Sequence, residues 1–186
     1  MNHYSEFLSE HEIILTKANG NQLLSEMGLE GKIPLDKIDL FIASKLKNSV
    51  KPLGGIHLKS SIAERRTDDV PASEQVMKQG FLSLFITLDG KDTPSPKPIN
   101  KGEYGPSMVY DSTTKKWKGS DKRRDIEVDG LFSAVFSFNT RTIESPLLTT
   151  AGSRIVRIDF TNSNDKFSRY LLGAKARILK KHQKKK

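Results

Sequence analysis

The sequence contains no cysteine among its 186 residues, which excludes disulfide bonds, thiolate zinc sites and cysteine nucleophiles. It also has no apolar run long enough to span a bilayer. The first residues include Glu6, Glu10 and Glu12 instead of a basic segment followed by an apolar one, which argues against a leader peptide. We therefore expect a cytoplasmic protein whose stability comes from packing alone.

Charge is unbalanced along the chain. There are 31 Lys and Arg residues against 22 Asp and Glu residues, which gives a formal net charge of +9. Such an excess favours polyanionic partners, although it carries no information about sequence specificity. We find no helix-turn-helix or zinc module for reading bases.

The apolar patterning predicts an α/β fold with a mixed central β-sheet flanked by helices. Ile38, Phe41, Ile42 and Leu46 recur at helical spacing and predict an amphipathic helix over 36–50. Other helices are predicted as two short ones within 5–27, one over 71–79 and a terminal one from about 164. Strands are predicted over 56–60, 81–88, 127–138 and 154–160, and a hairpin is predicted around 112–114.

The strand predicted over 81–88 runs directly into Asp89, Gly90 and Lys91. Alternate side chains of a strand share a face, so Asp89 and Lys91 are expected to project together. A carboxylate suits Mg²⁺, and a lysine can position or deprotonate a water, or stabilise the charge that develops on a phosphate. The arrangement indicates metal-dependent hydrolysis of a phosphodiester. The alternative without a function is that Asp89 and Lys91 only mark the polar end of a buried strand, where it meets solvent.

An upstream acid would complete such a site. Asp69, Asp68 and Glu64 are the candidates, with Asp68 and Asp69 equally suited to cap the helix that begins near Pro71. His57 and Lys59 alternate along the strand 56–60 and are further candidates for the same cleft, although a single His is more often a packed or surface residue.

Two other charged clusters have weaker interpretations. Asp125, Glu127 and Asp129 would share a face of the strand predicted over 127–138, but no lysine follows at the motif spacing. A basic, aromatic-containing region could contact DNA phosphates or form a solvated hairpin and loop; its residues are Lys115, Lys116, Trp117, Lys118, Arg123 and Arg124.

The segment from Asp69 to Lys91 resembles the PD-(D/E)xK nuclease motif, with Asp89 at the central acidic position and Lys91 as the lysine. No proline precedes Asp68 or Asp69, so the first acid departs from the usual form. Across its length, including 56–73, the chain is similar to the small subunit of heterodimeric type IIS restriction endonucleases. This resemblance implies a Mg²⁺-dependent nuclease core and a large, DNA-recognising nicking subunit, with the small subunit cutting the other strand of duplex DNA in the assembly.

We therefore expect a single nuclease-like domain over 1–179 and a basic tail over 180–186. Asp69, Asp89 and Asp68 would hold Mg²⁺, while Asp69, Asp89, Lys91 and Glu64 would form the catalytic set. The alternatives are a non-catalytic basic module that binds nucleic acid and an RNA-binding accessory protein. Product formation from duplex DNA separates the first expectation from both alternatives.

Overall fold

One mixed sheet of six strands runs through the middle of the molecule. The computed structural model describes residues 3–47, 49–61, 66–90, 102–159 and 165–183. The strands are β1 (Ile13–Thr16), β2 (Leu40–Leu46), β3 (Ser49–Lys59), β4 (Leu82–Thr87), β5 (Val109–Asp111), β6 (Lys116–Lys118), β7 (Ala134–Ser137) and β8 (Ile155–Arg157). The helices are α1 (His3–Glu10), α2 (Gly20–Glu26), α3 (Arg66–Lys78), α4 (Asp121–Glu127) and α5 (Lys166–Gln183), with a 3-10 turn at Leu35–Lys37.

The sheet has the order β1-β2-β3-β4-β7-β8, and β5 and β6 form a separate hairpin. The first three strands pair antiparallel, whereas β3, β4, β7 and β8 pair parallel. The parallel strands therefore end at one edge of the sheet, and β2 begins at that same edge because it runs against β3. Side chains at the end of β3 and at the start of β2 are brought together there.

Helices cover both faces of the sheet, which confirms the predicted mixed α/β architecture. Leu84 and Ile86 of β4 belong to the larger core cluster, which also contains Phe167 and Leu171 of α5. Phe85 points the other way and packs in a smaller cluster with Ile126 of α4 and other apolar side chains. The alternation along β4 thus separates two cores, as a strand buried on both faces requires.

The helix predicted over 36–50 is wrong. Residues Leu40–Leu46 form β2 in the interior of the sheet, between β1 and β3, and β3 begins at Ser49. Phe41 and Ile42 are completely buried. A short apolar run fits a buried strand as well as a helix, and pairing on both sides decided for the strand. Pro52 lies in β3 next to a register shift of the β2–β3 ladder, where a proline is tolerated.

Several other predictions are confirmed in type and shifted in extent. The predicted elements over 71–79, 81–88 and 154–160 correspond to α3, β4 and β8, and the hairpin corresponds to β5 and β6. The N-terminal region contains β1 between its two helices, and the strand predicted over 127–138 is confined to β7. The terminal helix continues to Gln183, so residues 180–183 are helical; the division into a domain and a tail stays a prediction.

No helix among the described residues combines the length and apolar character needed to cross a membrane.

Candidate active site

Asp39 and Lys59 meet at the edge of the sheet where β2 begins and β3 ends. Asp39 directly precedes β2, and its N–H donates to the carbonyl of Ile56 at 3.0 Å, which fixes it against β3. Its carboxylate Oδ2 accepts the N–H of Leu58 at 2.8 Å and lies 3.1 Å from the Nζ of Lys59. The side chains are 26% and 15% exposed, so this ion pair is held by the backbone yet reaches solvent.

His57 lies beside this pair because residues 57 and 59 share one face of β3. The imidazole is completely buried, and its Nε2 lies 3.1 Å from the Oγ of Ser83. Burial lowers the pKa of His57 to about 4, against an opposing effect of the Asp39 carboxylate. The ring is consequently neutral at neutral pH and adds no positive charge to the site.

Asp69 approaches the same imidazole from the first turn of α3. Its Oδ1 lies 3.8 Å from the Nδ1 of His57, and its side chain is almost fully buried. Since His57 is neutral, this contact is polar and is not an ion pair. Two carboxylates, those of Asp39 and Asp69, thus flank the segment of β3 that carries His57 and Lys59.

Asp68, another of the predicted upstream acids, is paired with a different lysine. Asp68 is exposed, and its Oδ2 lies 3.9 Å from the Nζ of Lys37. Neither Asp68 nor Asp69 caps a helix starting near Pro71, because α3 begins at Arg66 and includes both in its first turn. Glu64 and Lys91, the remaining members of the predicted catalytic set, lie outside the described residues.

Asp89 occupies a buried polar junction. It is 1% exposed; its Oδ1 accepts the N–H of Glu103 at 2.6 Å, and its Oδ2 accepts the hydroxyl of Thr142. Its own N–H donates to the Oγ1 of Thr87 at 3.0 Å, and its carbonyl accepts the side-chain amide of Asn139. Burial raises the pKa of Asp89, an effect partly offset by these two donors to its carboxylate. The carboxylate therefore joins the segment after β4 to the segment after β7.

Around Asp89 the polar network continues into α4. Glu103 forms an ion pair with Lys122, and the guanidinium of Arg123 lies 2.5 Å from the Oε1 of Glu127. Arg123 is completely buried and also donates to the carbonyls of Tyr104 and Ile143. Its predicted contact with DNA phosphates is incompatible with this burial, since the guanidinium is used inside the protein.

The carboxylate cluster at 125–129 was assigned to the wrong element. Asp125 and Glu127 belong to α4, which ends at Glu127, so the face they were expected to share on a strand does not exist. Ser120 caps this helix through its side chain, which accepts the N–H of Arg123. Asp129 lies beyond the helix and is paired with Arg124 at 3.5 Å.

The predicted DNA-contacting hairpin is real and exposed. Lys115 occupies the turn between β5 and β6 with φ 52°, Lys116 is exposed, and Lys118 lies 2.7 Å from Asp111. Trp117 packs edge-on against Tyr110, with ring centroids 5.2 Å apart. The hairpin presents cations on a small aromatic support, and its DNA contact stays a prediction.

The carboxylates of Asp39 and Asp69 are the candidate ligands for a metal ion at this site. Within the described ranges, no cluster of three or more His, Asp and Glu side chains has the arrangement of a metal site. Asp39 and Asp69 nevertheless supply carboxylate oxygens, and one or two carboxylates completed by water are sufficient for Mg²⁺. The hydrogen bonds that the Asp39 carboxylate makes with described residues use Oδ2, so within the described ranges Oδ1 can serve as a ligand.

Sequence reasoning missed Asp39. It was placed inside a predicted helix, whereas it immediately precedes an internal strand, and Lys59 ends the next one. An acid at the start of one strand and a lysine at the end of its neighbour are thus brought together by the pairing of β2 with β3. His57 lies two residues before Lys59 on β3, and Asp69 brings a second carboxylate to it from α3.

Comparisons with known proteins agree with a restriction endonuclease. The family model described as BsaWI restriction endonuclease type 2 matches residues 15–163. The type II restriction enzyme AgeI of Thalassovita gelatinovora is 37% identical over 181 residues, which cover 91% of this chain and 62% of that enzyme. The chain belongs to the BsaWI family of type II restriction endonucleases.

Two solved structures have the same architecture. The crystal structure of a specific AgeI–DNA complex superimposes with a TM-score of 0.78 at 36% identity, covering 92% of this chain and 62% of that one. A pre-specific BsaWI–DNA complex gives a TM-score of 0.57 at 20% identity, covering 98% of this chain and 64% of that one, and supports the fold. This chain thus spans less than two thirds of each of these relatives.

The broader expectation, a relationship to restriction endonucleases, is confirmed as membership of a restriction endonuclease family. The narrower resemblance, to the small subunit of a heterodimeric type IIS enzyme, is not what the comparisons found: the matching family is that of BsaWI, and the relative is a type II enzyme. The names of these relatives do not mention a nicking subunit like the one predicted as partner.

Proposed function

We propose that this chain carries the hydrolytic centre of a Mg²⁺-dependent DNA endonuclease, located at Asp39 and Lys59. The observation that carries the proposal is the 3.1 Å contact between the Lys59 Nζ and the Asp39 Oδ2. A partly exposed ion pair fixed at the ends of two neighbouring strands provides the acid and the lysine that phosphodiester hydrolysis needs. Membership of a restriction endonuclease family supports the same reaction class.

The residues present fit Mg²⁺. Asp39 and Asp69 would hold the ion through carboxylate oxygens, with water completing its shell. When bound, Mg²⁺ polarises the phosphoryl group and lowers the pKa of a coordinated water.

Lys59 acts on the reacting phosphate. Asp39 orients its ammonium, and the N–H of Leu58 holds the Asp39 carboxylate in turn, so the lysine is preorganised before substrate arrives. From this position the ammonium stabilises negative charge on the phosphate or orients the attacking water.

Duplex DNA is the proposed substrate and partner. The structures of AgeI and BsaWI that resemble this chain are described as DNA complexes. The net charge of +9 supports binding to a polyanion. The large nicking subunit expected from the sequence stays a prediction.

The test is cleavage of long duplex DNA by the purified chain, with Mg²⁺ and with chelator, analysed on native and strand-separating gels. We expect products that require Mg²⁺. Cuts in one strand only would support the predicted division of labour with a second subunit, whereas cuts in both strands would remove the need for it. Absence of any product, with intact folding and a shifted DNA band, would contradict hydrolysis by this chain.

That last outcome defines the second candidate, a non-catalytic module that binds nucleic acid. The exposed cations of the β5–β6 hairpin, beside the Trp117–Tyr110 pair, are the observation in its favour. Binding that prefers RNA over duplex DNA would favour the RNA-binding alternative instead.

The originally predicted pair, Asp89 and Lys91, is the rival hydrolytic site. Asp89 has both carboxylate oxygens engaged by Glu103 and Thr142, so a metal would have to compete with these donors. Among the described contacts, Asp39 keeps its Oδ1 for a metal ion and has Lys59 beside it. We therefore prefer Asp39 and Lys59 as the hydrolytic site.

A further inference from the structure

A cleft of about 350 Å³ opens on the far side of the molecule from Lys59. Arg177 and Lys181 of α5 line it, together with the segments that precede β4, β7 and β8. We infer that this cleft is a second phosphate-binding site, which takes the sugar-phosphate backbone of nucleic acid outside the hydrolytic centre. The nucleic-acid source of the phosphate rests on the proposed function.

The charge of the cleft points to an anion. Arg177 and Lys181 are four residues apart on α5 and therefore share one face of the helix. No ion pair links either of them to an acid in the part of the chain that is described, and none of the described lining residues is a carboxylate. Arg177 donates to the carbonyl of Gly173 in its own helix, at 3.3 Å. Two like charges thus share one side of the cleft without an acidic partner among the described residues, and an incoming phosphate would supply the opposite charge.

The floor of the cleft is built from small residues. Gly80, with φ 86°, follows α3, and a Cβ at this position would come within 2.6 Å of the Lys181 Nζ. Ala151 and Gly152 form another part of the lining. Because residue 80 has no side chain, the Lys181 ammonium can lie directly against the backbone at the edge of the cleft.

A hydrogen bond connects the helix that carries the two cations to the other side of the cleft. The hydroxyl of Tyr170 donates to the carbonyl of Ser133 at 3.1 Å and ties α5 to the segment before β7. Ser133 and Ser153 line the cleft and add hydroxyl groups of the kind that donate to phosphate oxygens.

The cleft is separate from the hydrolytic centre. Leu82 begins β4 and lines the cleft, whereas Lys59 ends the neighbouring parallel strand. The six residues of β4 span roughly 20 Å at about 3.3 Å per residue, so one phosphate does not contact both places. Occupancy of the cleft would affect affinity for extended DNA more than the chemical step.

The experiment compares the wild type with Arg177→Gln/Lys181→Gln and with a charge-matched control, Lys17→Gln/Lys45→Gln, whose two lysines are exposed and lie outside the cleft. Binding of duplexes of about 10 and about 40 base pairs is measured without Mg²⁺ over a range of salt concentrations. We expect the cleft variant to bind the longer duplex roughly tenfold more weakly and to lose about 2 units of log–log salt slope, near 0.9 for each phosphate contact. The control should lose much less, and unfolding midpoints check that all variants are folded.

Inorganic phosphate is the second probe. Its addition should shift the amide resonances of Gly80 and Gly152 in the wild type and leave them unchanged in the cleft variant. If phosphate shifts these resonances but the DNA affinities of the cleft and control variants are equal, the nucleic-acid assignment is overturned. If neither probe distinguishes the two variants, the site itself is overturned.

Failure of the proposed function gives a different pattern. A wild type that cuts no DNA but loses affinity in the cleft variant would remove the hydrolytic proposal and leave the cleft intact. Normal Mg²⁺-dependent cutting, with a DNA affinity that does not depend on Arg177 and Lys181, would remove the cleft proposal and leave the hydrolytic proposal intact. A wild type that binds no duplex at all would overturn the nucleic-acid assignment of the cleft.

Discussion

The Lys59 ammonium lies 3.1 Å from the Asp39 carboxylate although 20 residues separate them in sequence. The contact exists because β2 and β3 pair antiparallel, with Leu40 opposite Ile56, so that the start of one strand meets the end of the other. Leu58 completes the arrangement by donating its N–H to the same carboxylate oxygen. A lysine and an acid are thereby held by strand pairing and not by a loop, as a preorganised site requires.

Substituting Asp39 by Asn, or Lys59 by Met, should reduce Mg²⁺-dependent cleavage by about a hundredfold or more, because each change removes a charge that acts on the reacting phosphate. Both sites are partly exposed, so folding should be little affected. Single-turnover cleavage of duplex DNA measures the effect, with Asp68→Asn as a matched control on an exposed acid of α3. Full activity in both active-site variants would eliminate the proposed centre.

Asp89→Ala should act mainly on stability. The substitution leaves the buried N–H of Glu103 and the hydroxyl of Thr142 without their acceptor, which costs about 2 kcal/mol. Urea unfolding measures this loss, and Asp68→Ala, on the surface, should stay within about 0.5 kcal/mol of the wild type. Loss of cleavage in a stably folded Asp89→Ala protein would instead restore the pair Asp89 and Lys91 as the hydrolytic site.

The sequence is informative about elements whose pattern has one interpretation. Residues 81–88 were correctly predicted as a strand because the apolar run is short and bounded by Gly80 and Asp89, and α5 shows a full helical stripe ending in Ile178. The run in β2 fits both a helix and a strand, and the wrong choice concealed Asp39. Only pairing with β1 and β3 resolves it.

The environment of Asp89 was beyond sequence reasoning for another reason. The partners of its carboxylate, Glu103 and Thr142, are 14 and 53 residues away and reach it through tertiary packing. A strand-end carboxylate looks the same in sequence whether it faces a cleft or a buried hydroxyl. His57 and Lys59 were recognised as sharing a face, because that follows from local geometry alone.

Gly54→Ala should be strongly destabilising. A Cβ at residue 54 would lie 2.1 Å from the carbonyl oxygen of Leu82, within the β3–β4 pairing, so the two strands would have to separate. We expect a loss of about 3 kcal/mol in urea unfolding. Gly173→Ala is the matched control: Gly173 lies inside α5 with open space around its Cβ position, and the substitution should stabilise by about 0.5 to 1 kcal/mol. Equal effects at the two glycines would contradict the close approach of β3 and β4.

The charge state of Asp111 should report the integrity of the β5–β6 hairpin. A hydrogen bond from Lys118, at 2.7 Å, is the main reason that the pKa of Asp111 is lowered to about 2, and the N–H groups of Thr114 and Thr113 add to it. Because the folded pKa lies below the ordinary value, this contribution to folding is present above about pH 4 and is lost as the pH falls through about 2.

Lys118→Met should raise the pKa of Asp111 towards its ordinary value, while the N–H groups of Thr113 and Thr114 keep that pKa somewhat low. Carboxyl ¹³C resonances followed by NMR measure the change, and Lys17→Met removes the same charge at a distance. An equal pKa rise in both variants would show that general screening, and not the Lys118 contact, sets the titration of Asp111.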